Sequence, residues 1–146
     1  MEKQGSILIV DDNRSVLVAA KMLLENYFES VITTSIPDRI RSILQENEIG
    51  VILLDMNFKA GINNGNEGLF WLAEIKKYHP TLPVVLFTAY ADIELAVKGI
   101  KEGATDFVVK PWENQKLVET LQKAYKTGQS QSTRGNGTAP NTSKPM

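Results

Sequence analysis

Short apolar runs alternate with helical stripes along most of this chain. The runs are rich in β-branched and aliphatic residues, and they predict strands at about residues 7–10, 30–34, 51–54, 83–87 and 106–109. Between the runs, apolar residues recur every three or four positions, which predicts amphipathic helices, the last ending near Lys126. Successive strand–helix units indicate a parallel sheet with helices on both faces. We therefore expect a doubly wound α/β fold.

The composition changes after the last predicted helix. Residues 1–126 carry the alternating pattern, and one domain of this size is usual. Residues 127–146 are mostly Gly, Ser, Thr, Asn, Gln and Pro, with little to bury. The sequence therefore predicts one domain followed by a flexible polar tail or linker.

Bulk charge and composition exclude several classes of function. The formal net charge of −1 gives no global attraction to nucleic acid or to an anionic membrane. The chain has no cysteine, which excludes disulfides and thiolate chemistry. No apolar stretch approaches the ~20 residues that a membrane helix needs, and the N-terminus does not resemble a signal peptide. We expect a cytoplasmic protein without direct nucleic-acid binding.

Chemically useful side chains follow four of the five predicted strands. They are Asp11 and Asp12, Asp55, Thr88, and Lys110. Side chains beyond the carboxyl ends of parallel strands converge on one crevice. Each residue has an ordinary structural explanation: the first two acids as helix caps, Asp55 as a turn residue, Thr88 as a strand end, and Lys110 as a solvated lysine. Their coincidence favours a single site.

The combined set suits metal-assisted phosphoryl transfer. Three neighbouring carboxylates repel one another and favour a divalent cation, and Mg²⁺ prefers oxygen ligands. Asp55 as nucleophile would form an aspartyl phosphate, while the metal and Lys110 neutralise the transferred oxygens. The Thr88 hydroxyl would hydrogen-bond a phosphoryl oxygen.

At these positions the sequence resembles the receiver domains of two-component response regulators. The motifs that carry the resemblance are Val10-Asp11-Asp12-Asn13, Leu54-Asp55-Met56-Asn57, Thr88-Ala89 and Lys110-Pro111. The resemblance spans about residues 5–126 and implies a flavodoxin-like (βα)5 fold with strand order 2-1-3-4-5. It implies Asp55 as the phosphoacceptor, Lys110 as the phosphoryl partner and Thr88 as the switch hydroxyl.

The resemblance also assigns supporting residues. It implies that Asp12, Asp55 and the main-chain carbonyl of Asn57 ligate Mg²⁺, with Asp11 acting through water. Phe107 falls at the switch-aromatic position, and the N–H groups of Met56 and Ala89 would complete a phosphoryl cradle. The Lys110–Pro111 peptide is expected to be cis.

The family implies partners as well. A sensor histidine kinase would donate the phosphoryl group, and the domain would catalyse only its own phosphorylation and dephosphorylation. The face of the fourth helix, fifth strand and fifth helix would bind either a second copy of the chain, giving a homodimer, or an output domain. The stretches 88–97 and 103–107 resemble receivers of NtrC-type regulators, which implies an output part outside this chain, with AAA+ and DNA-binding modules.

One departure from the family pattern lies beside the acceptor. Receivers usually carry a proline four residues beyond the acceptor, where Lys59 stands here, and the following glycine arrives late, as Gly68. The turn-rich stretch 59–66 is therefore an expanded loop. It would alter donor access or partner choice, or be a tolerated surface insertion.

Three alternative functions use some of the same residues. A haloacid-dehalogenase-type phosphatase needs a second acid two residues beyond the nucleophile, where Asn57 stands. A flavodoxin-like cofactor binder would place a phosphate beside Asp11 and Asp12, which would repel it. The remaining alternative is a docking or dimerisation module with the receiver fold that acts without phosphorylation.

Overall fold

The chain forms a five-stranded parallel sheet covered on both faces by helices. The computed structural model describes residues 3–56 and 67–136, with side chains described through residue 130. The strands are β1 (Gln4–Val10), β2 (Phe28–Thr34), β3 (Val51–Asp55), β4 (Val84–Ala89) and β5 (Asp106–Lys110). The helices are α1 (Arg14–Leu24), α2 (Ile40–Glu46), α3 (Glu67–Tyr78), α4 (Ile93–Lys101) and α5 (Asn114–Asn136). The sheet order β2-β1-β3-β4-β5 confirms the predicted fold.

The central strand explains the sequence pattern best. All five residues of β3 are buried, because helices cover both faces of the sheet and neither face meets water. Alternate residues along each strand point to opposite faces of the sheet and so pack in two separate cores. Leu53, Val85 and Val108 pack with α1 and α5, whereas Leu54, Leu86 and Phe107 pack with α2, α3 and α4.

One predicted segment boundary needs correction, and a short turn precedes α4. The 3₁₀ turn at Tyr90–Asp92 separates β4 from α4. The last helix continues past Lys126 to Asn136, so the predicted tail begins as helix. Gly128 is buried against Pro83, which gives this polar segment a contact that its composition does not reveal.

The amino end of the sheet is closed by tight packing around Tyr125. The ring of this α5 residue lies against Gly5 and Gly50, where a methyl group would collide with ring atoms. The Gly50 N–H donates to the carbonyl oxygen of Ser6 at 2.9 Å, which fixes the glycine beside β1. The start of β3 is thus held between β1 and α5.

Within the described residues, no helix combines the length and apolar character needed to cross a bilayer.

Candidate phosphoacceptor site

The strand register brings the predicted site residues to one edge of the sheet. Val10 pairs with Leu54, so the next residues, Asp11 and Asp55, leave adjacent strands side by side. Asp55 pairs with Phe87 on β4, and Ala89 pairs with Lys110 on β5. Parallel strands with this register deliver their carboxyl-terminal side chains to a common crevice.

Three carboxylates form the centre of the crevice. Asp11 and Asp55 are 0% and 3% exposed, and Asp12 is partly buried. Carboxylate oxygens of Asp11, Asp12 and Asp55 all lie within 4.8 Å of one another. Such close carboxylates repel, so the arrangement favours a bound cation.

Lys110 crosses from β5 to reach two of these acids. Its Nζ donates to Asp11 Oδ2 at 3.0 Å and to Asp55 Oδ1 at 3.2 Å. Burial opposes its charge, but attraction to Asp55 and Asp11 and their hydrogen bonds outweigh burial and raise the pKa of Lys110. The side chain is therefore a fixed positive charge beside the acceptor.

The capping explanation for the acid pair does not hold. Asn13 is the N-cap of α1, and its Oδ1 accepts from the N–H groups of Ser15 at 2.9 Å and Val16 at 3.2 Å. Asp11 Oδ1 instead accepts from the N–H of Asn13 at 2.9 Å, which orients the loop after β1. One oxygen of Asp11 holds the loop and the other holds Lys110.

Thr88 lies one residue beyond the partner of Asp55 and points to the other face of the sheet. It is 1% exposed, and its hydroxyl donates to the carbonyl oxygens of Ala89 and Asp92, both at 3.3 Å. Asp92 ends the turn before α4. The hydroxyl therefore connects the site edge with the start of α4 through two long hydrogen bonds.

Two further family-implied features can be located in β5 and just after it. The Lys110–Pro111 peptide is cis, as expected. Phe107 is partly buried and packs against the core on the α4 side, two residues before the partner of Thr88. Phe107 and Thr88 thus adjoin the same helix.

The structure corrects the prediction that the Met56 N–H donates to the phosphoryl group. Its N–H donates to the carbonyl oxygen of Phe87 at 3.0 Å, which extends the β3–β4 ladder, so this group is not available to a phosphoryl oxygen. The Met56 carbonyl accepts from the N–H of Gly68 at 3.2 Å. The role of Ala89 N–H stays a prediction.

Gly68 keeps its contact with the acceptor strand despite its late place in sequence. A Cβ on Gly68 would lie 2.6 Å from Cα and 2.7 Å from the carbonyl oxygen of Met56. Only glycine allows α3 to begin this close to the residue after Asp55. Asn57 and the expanded loop at residues 59–66 lie outside the described residues.

The donor set fits a hard divalent cation. Asp11, Asp12 and Asp55 offer only carboxylate oxygens, which suit Mg²⁺ and not a metal that prefers sulfur or nitrogen. The cluster also agrees with the acidic pocket at which receiver domains bind Mg²⁺.

Comparison with known proteins decides the family. The response regulator receiver domain matches residues 7–122. This chain belongs to that family. It is 36% identical over 123 residues to a putative response regulator NtrX-like from Rickettsia felis, and 31% identical over 118 residues to the transcriptional regulatory protein ZraR from Escherichia coli K12. These relatives agree with the predicted NtrC-like resemblance.

A solved receiver structure supports the same assignment. The N-terminal receiver domain of a two-component response regulator from Bacteroides fragilis is 60% identical, with a TM-score of 0.78 over 84% of this chain and 98% of that one. The NtrX-like and ZraR relatives are matched over 83% and 81% of this chain but only 25% and 26% of their own lengths. The chain therefore spans about a quarter of these longer regulators.

Sequence reasoning missed one contact in the site. The Lys110 Nζ lies over the ring of Phe87, 5.1 Å from its centroid, and Phe87 packs against Trp112. The sequence pattern identifies Phe87 only as a strand residue. The strand register could have revealed this contact. Lys110 must pass over β4 to reach Asp55, and Phe87 is the β4 residue that pairs with Asp55.

Proposed function

We propose that this receiver accepts a phosphoryl group from a sensor histidine kinase onto Asp55, with Mg²⁺ bound at the acid cluster. The observation that carries the proposal is the Lys110 ammonium held between Asp11 and Asp55 inside a cluster of three carboxylates. The family assignment supports it.

The acceptor chemistry needs an ionised and oriented carboxylate. Lys110 favours the ionised form of Asp55 and fixes one of its oxygens at 3.2 Å. A carboxylate oxygen of Asp55 attacks phosphorus, and an O–P bond forms as the P–N bond of phosphohistidine breaks. The imidazole nitrogen leaves with the bonding electrons and then binds a proton.

Charge on the transferred group must be stabilised within the same crevice. Lys110 can turn an N–H from Asp55 to a phosphoryl oxygen without leaving Asp11, because separate hydrogen bonds reach the two acids. Asp11, Asp12 and Asp55 would hold Mg²⁺, which would neutralise charge on the phosphoryl oxygens. The domain catalyses only its own phosphorylation and dephosphorylation and is not otherwise an enzyme.

The switch follows from the bonds that Thr88 makes. A phosphoryl group on Asp55 offers its hydroxyl a charged acceptor, stronger than the carbonyls of Ala89 and Asp92 at 3.3 Å. Turning inward removes a contact from the start of α4, and Phe107 moves on the same side of the sheet. Differential stabilisation of a few kcal/mol is enough to shift such a two-state surface.

The changed face of α4, β5 and α5 would control an output part or bind a second copy of this chain. Transcriptional output follows by analogy with ZraR, whose name describes a transcriptional regulatory protein. The AAA+ and DNA-binding modules are what the resemblance to NtrC-type receivers implies. A cytoplasmic location belongs to the same proposal, because the kinase's phosphotransfer chemistry and the regulated genes lie there.

The test is intact-mass spectrometry after incubation with acetyl phosphate and Mg²⁺. We expect wild type and the exposed-surface control Asp38→Asn to gain one phosphoryl group, and Asp55→Asn or EDTA-treated wild type to gain none. We expect Thr88→Ala to gain the phosphoryl group as well. It should not show the change in oligomeric state that phosphorylated wild type shows on size-exclusion chromatography. No phosphoryl gain in wild type, confirmed by the absence of beryllofluoride binding in a control, would reject the phosphoacceptor role and favour the docking-module alternative.

A further inference from the structure

The aromatic residues beneath Lys110 form a support that the acid–base description leaves unused. The Phe87 ring is fully buried, 5.1 Å from the ammonium nitrogen. Trp112 packs on Phe87 with ring centroids 5.3 Å apart, and its Nε1 donates to Asn114 Oδ1 at 2.9 Å. The quadrupole of an aromatic ring attracts a cation that lies over its face.

The sheet register explains why the ring lies there. Asp55, Phe87 and Lys110 project from β3, β4 and β5 toward the α1 and α5 side, the side on which Leu53, Val85 and Val108 are buried. Lys110 must therefore cross β4 to contact Asp55. The β4 residue level with Asp55 is Phe87, so the lysine crosses its ring.

The ring supplies an attraction that does not consume an N–H donor. Lys110 has three N–H groups, of which two reach Asp11 and Asp55. A hydrogen-bonding residue in place of Phe87 would occupy the third and compete with an incoming phosphoryl oxygen. The ring attracts the whole ammonium group and leaves its donors free to change partners.

We propose that Phe87, braced by Trp112, is a positioning residue that holds the Lys110 ammonium at the acceptor while its hydrogen bonds pass from Asp55 to the phosphoryl group. This inference rests on the proposed function. Phe87 does not touch the reacting atoms and acts through Lys110.

The test changes the electrons of the ring while preserving its shape. Phe87→4-fluorophenylalanine and Phe87→pentafluorophenylalanine proteins would be made by amber suppression, with Phe28→pentafluorophenylalanine as the matched control. Phe28 is equally buried but packs edge-on against Tyr125 at the amino end of the sheet. Fluorination there leaves the neighbourhood of Lys110 unchanged.

Two readouts keep the inference distinct from the proposed function. The first is the rate of phosphoryl uptake from acetyl phosphate and Mg²⁺, which we expect to fall roughly threefold or more for the pentafluoro ring at 87, less for the monofluoro ring, and not at all at 28. The second is urea unfolding without Mg²⁺ in a double-mutant cycle with Lys110→Met. The pentafluoro ring should raise the equilibrium constant for unfolding roughly threefold only where Lys110 is present.

The outcomes separate clearly. Absence of coupling to Lys110 overturns the inference even if phosphoryl uptake is normal. Coupling with an unchanged uptake rate shows a contact that positions nothing for the reaction, and also overturns it. If wild type takes up no phosphoryl group at all, the proposed function fails, and the positioning role fails with it. Coupling together with a graded loss of rate supports the inference.

Discussion

The two ends of the sheet treat a half-buried lysine in opposite ways. At the carboxyl end, Lys110 contacts Asp11 and Asp55, whose attraction outweighs burial and raises its pKa. At the amino end, Lys76 donates to the carbonyl oxygens of Pro80 at 3.2 Å and Leu82 at 2.9 Å, and burial lowers its pKa. Lys110 thus belongs to a cluster of charged groups, whereas Lys76 donates only to main-chain carbonyl oxygens among its described hydrogen bonds.

The glycine contacts also differ between the two ends of the sheet. At the amino end, Gly5 and Gly50 meet the ring of Tyr125, which is a side chain and not main chain. At the carboxyl end, Gly68 meets main-chain atoms of Met56, the residue after the acceptor. The amino end is therefore built for stability, whereas packing at the carboxyl end also fixes the backbone that presents Asp55.

The largest expected effect comes from filling the glycine contact at the carboxyl end. Gly68→Ala would place a methyl group 2.6 Å from Met56 Cα, and main chain inside a buried sheet cannot move aside. We expect a loss of about 3 kcal/mol in the free energy of unfolding, at the upper end of overpacking penalties. Because the strain falls next to Asp55, phosphoryl uptake per folded molecule should also decrease.

Gly99→Ala is the matched control for this prediction. Gly99 lies in α4, and its nearest contact is the Cδ1 tip of the Leu86 side chain, which can rotate. Urea unfolding and uptake of phosphoryl groups would be measured on both variants. If Gly68→Ala and Gly99→Ala lose equal amounts of stability and phosphoryl uptake, contact with main chain beside the acceptor costs no more than contact with a side chain.

The amino end should lose stability without losing function. Gly50→Ala brings a methyl group against the Tyr125 ring, with Cδ1 at 2.6 Å, and we expect a loss of about 1–2 kcal/mol by urea unfolding. Phosphoryl uptake per folded molecule should stay at the wild-type rate, because the site lies at the opposite edge.

A double-mutant cycle identifies the cause of that loss. In a Tyr125→Ala background, Gly50→Ala should cost close to nothing, since the ring it meets is gone. Additive losses would mean that the glycine is needed for its own backbone conformation and not for the aromatic contact.

Most of the fold was predictable from the sequence, because its signals are local and repeated. Alternating apolar runs and helical stripes predicted the strands, their parallel arrangement and the grouping of Asp11, Asp55 and Lys110 at one edge. The family resemblance added the cis Lys110–Pro111 peptide, which the structure contains. The capping explanation for Asp11 and Asp12 was wrong, because the structure places Asn13 at the N-cap of α1.

The errors share a physical cause, which is that they depend on contacts between distant segments. Composition indicated a tail after Lys126, but Gly128 gains its burial from Pro83, on a different element. Motif position predicts a cradle role for the Met56 N–H, because it does not show that the β3–β4 ladder extends one residue beyond Asp55. The contact of Phe87 with Lys110 has no local signal, because it follows from pairing across three strands.

The smallest expected effect is a pH dependence at the amino end. Because burial lowers the pKa of Lys76 below its ordinary value of 10.5, the folded state binds this proton more weakly than the unfolded state. The contribution of Lys76 to stability is therefore least favourable below its lowered pKa, and it rises as pH increases through the interval up to 10.5. The side chain is partly exposed and screened by water, so the change should be smaller than either glycine loss.

Urea unfolding of wild type and Lys76→Met between pH 7 and about 10 measures this contribution. Wild type should gain stability relative to Lys76→Met as the pH rises, while Lys77→Met, which removes an exposed positive charge from the next position of α3, controls for net charge. A relative gain of wild type on lowering the pH would mean that Lys76 is held by a carboxylate, as Lys110 is, and the contrast between the two ends of the sheet would not apply to their lysines.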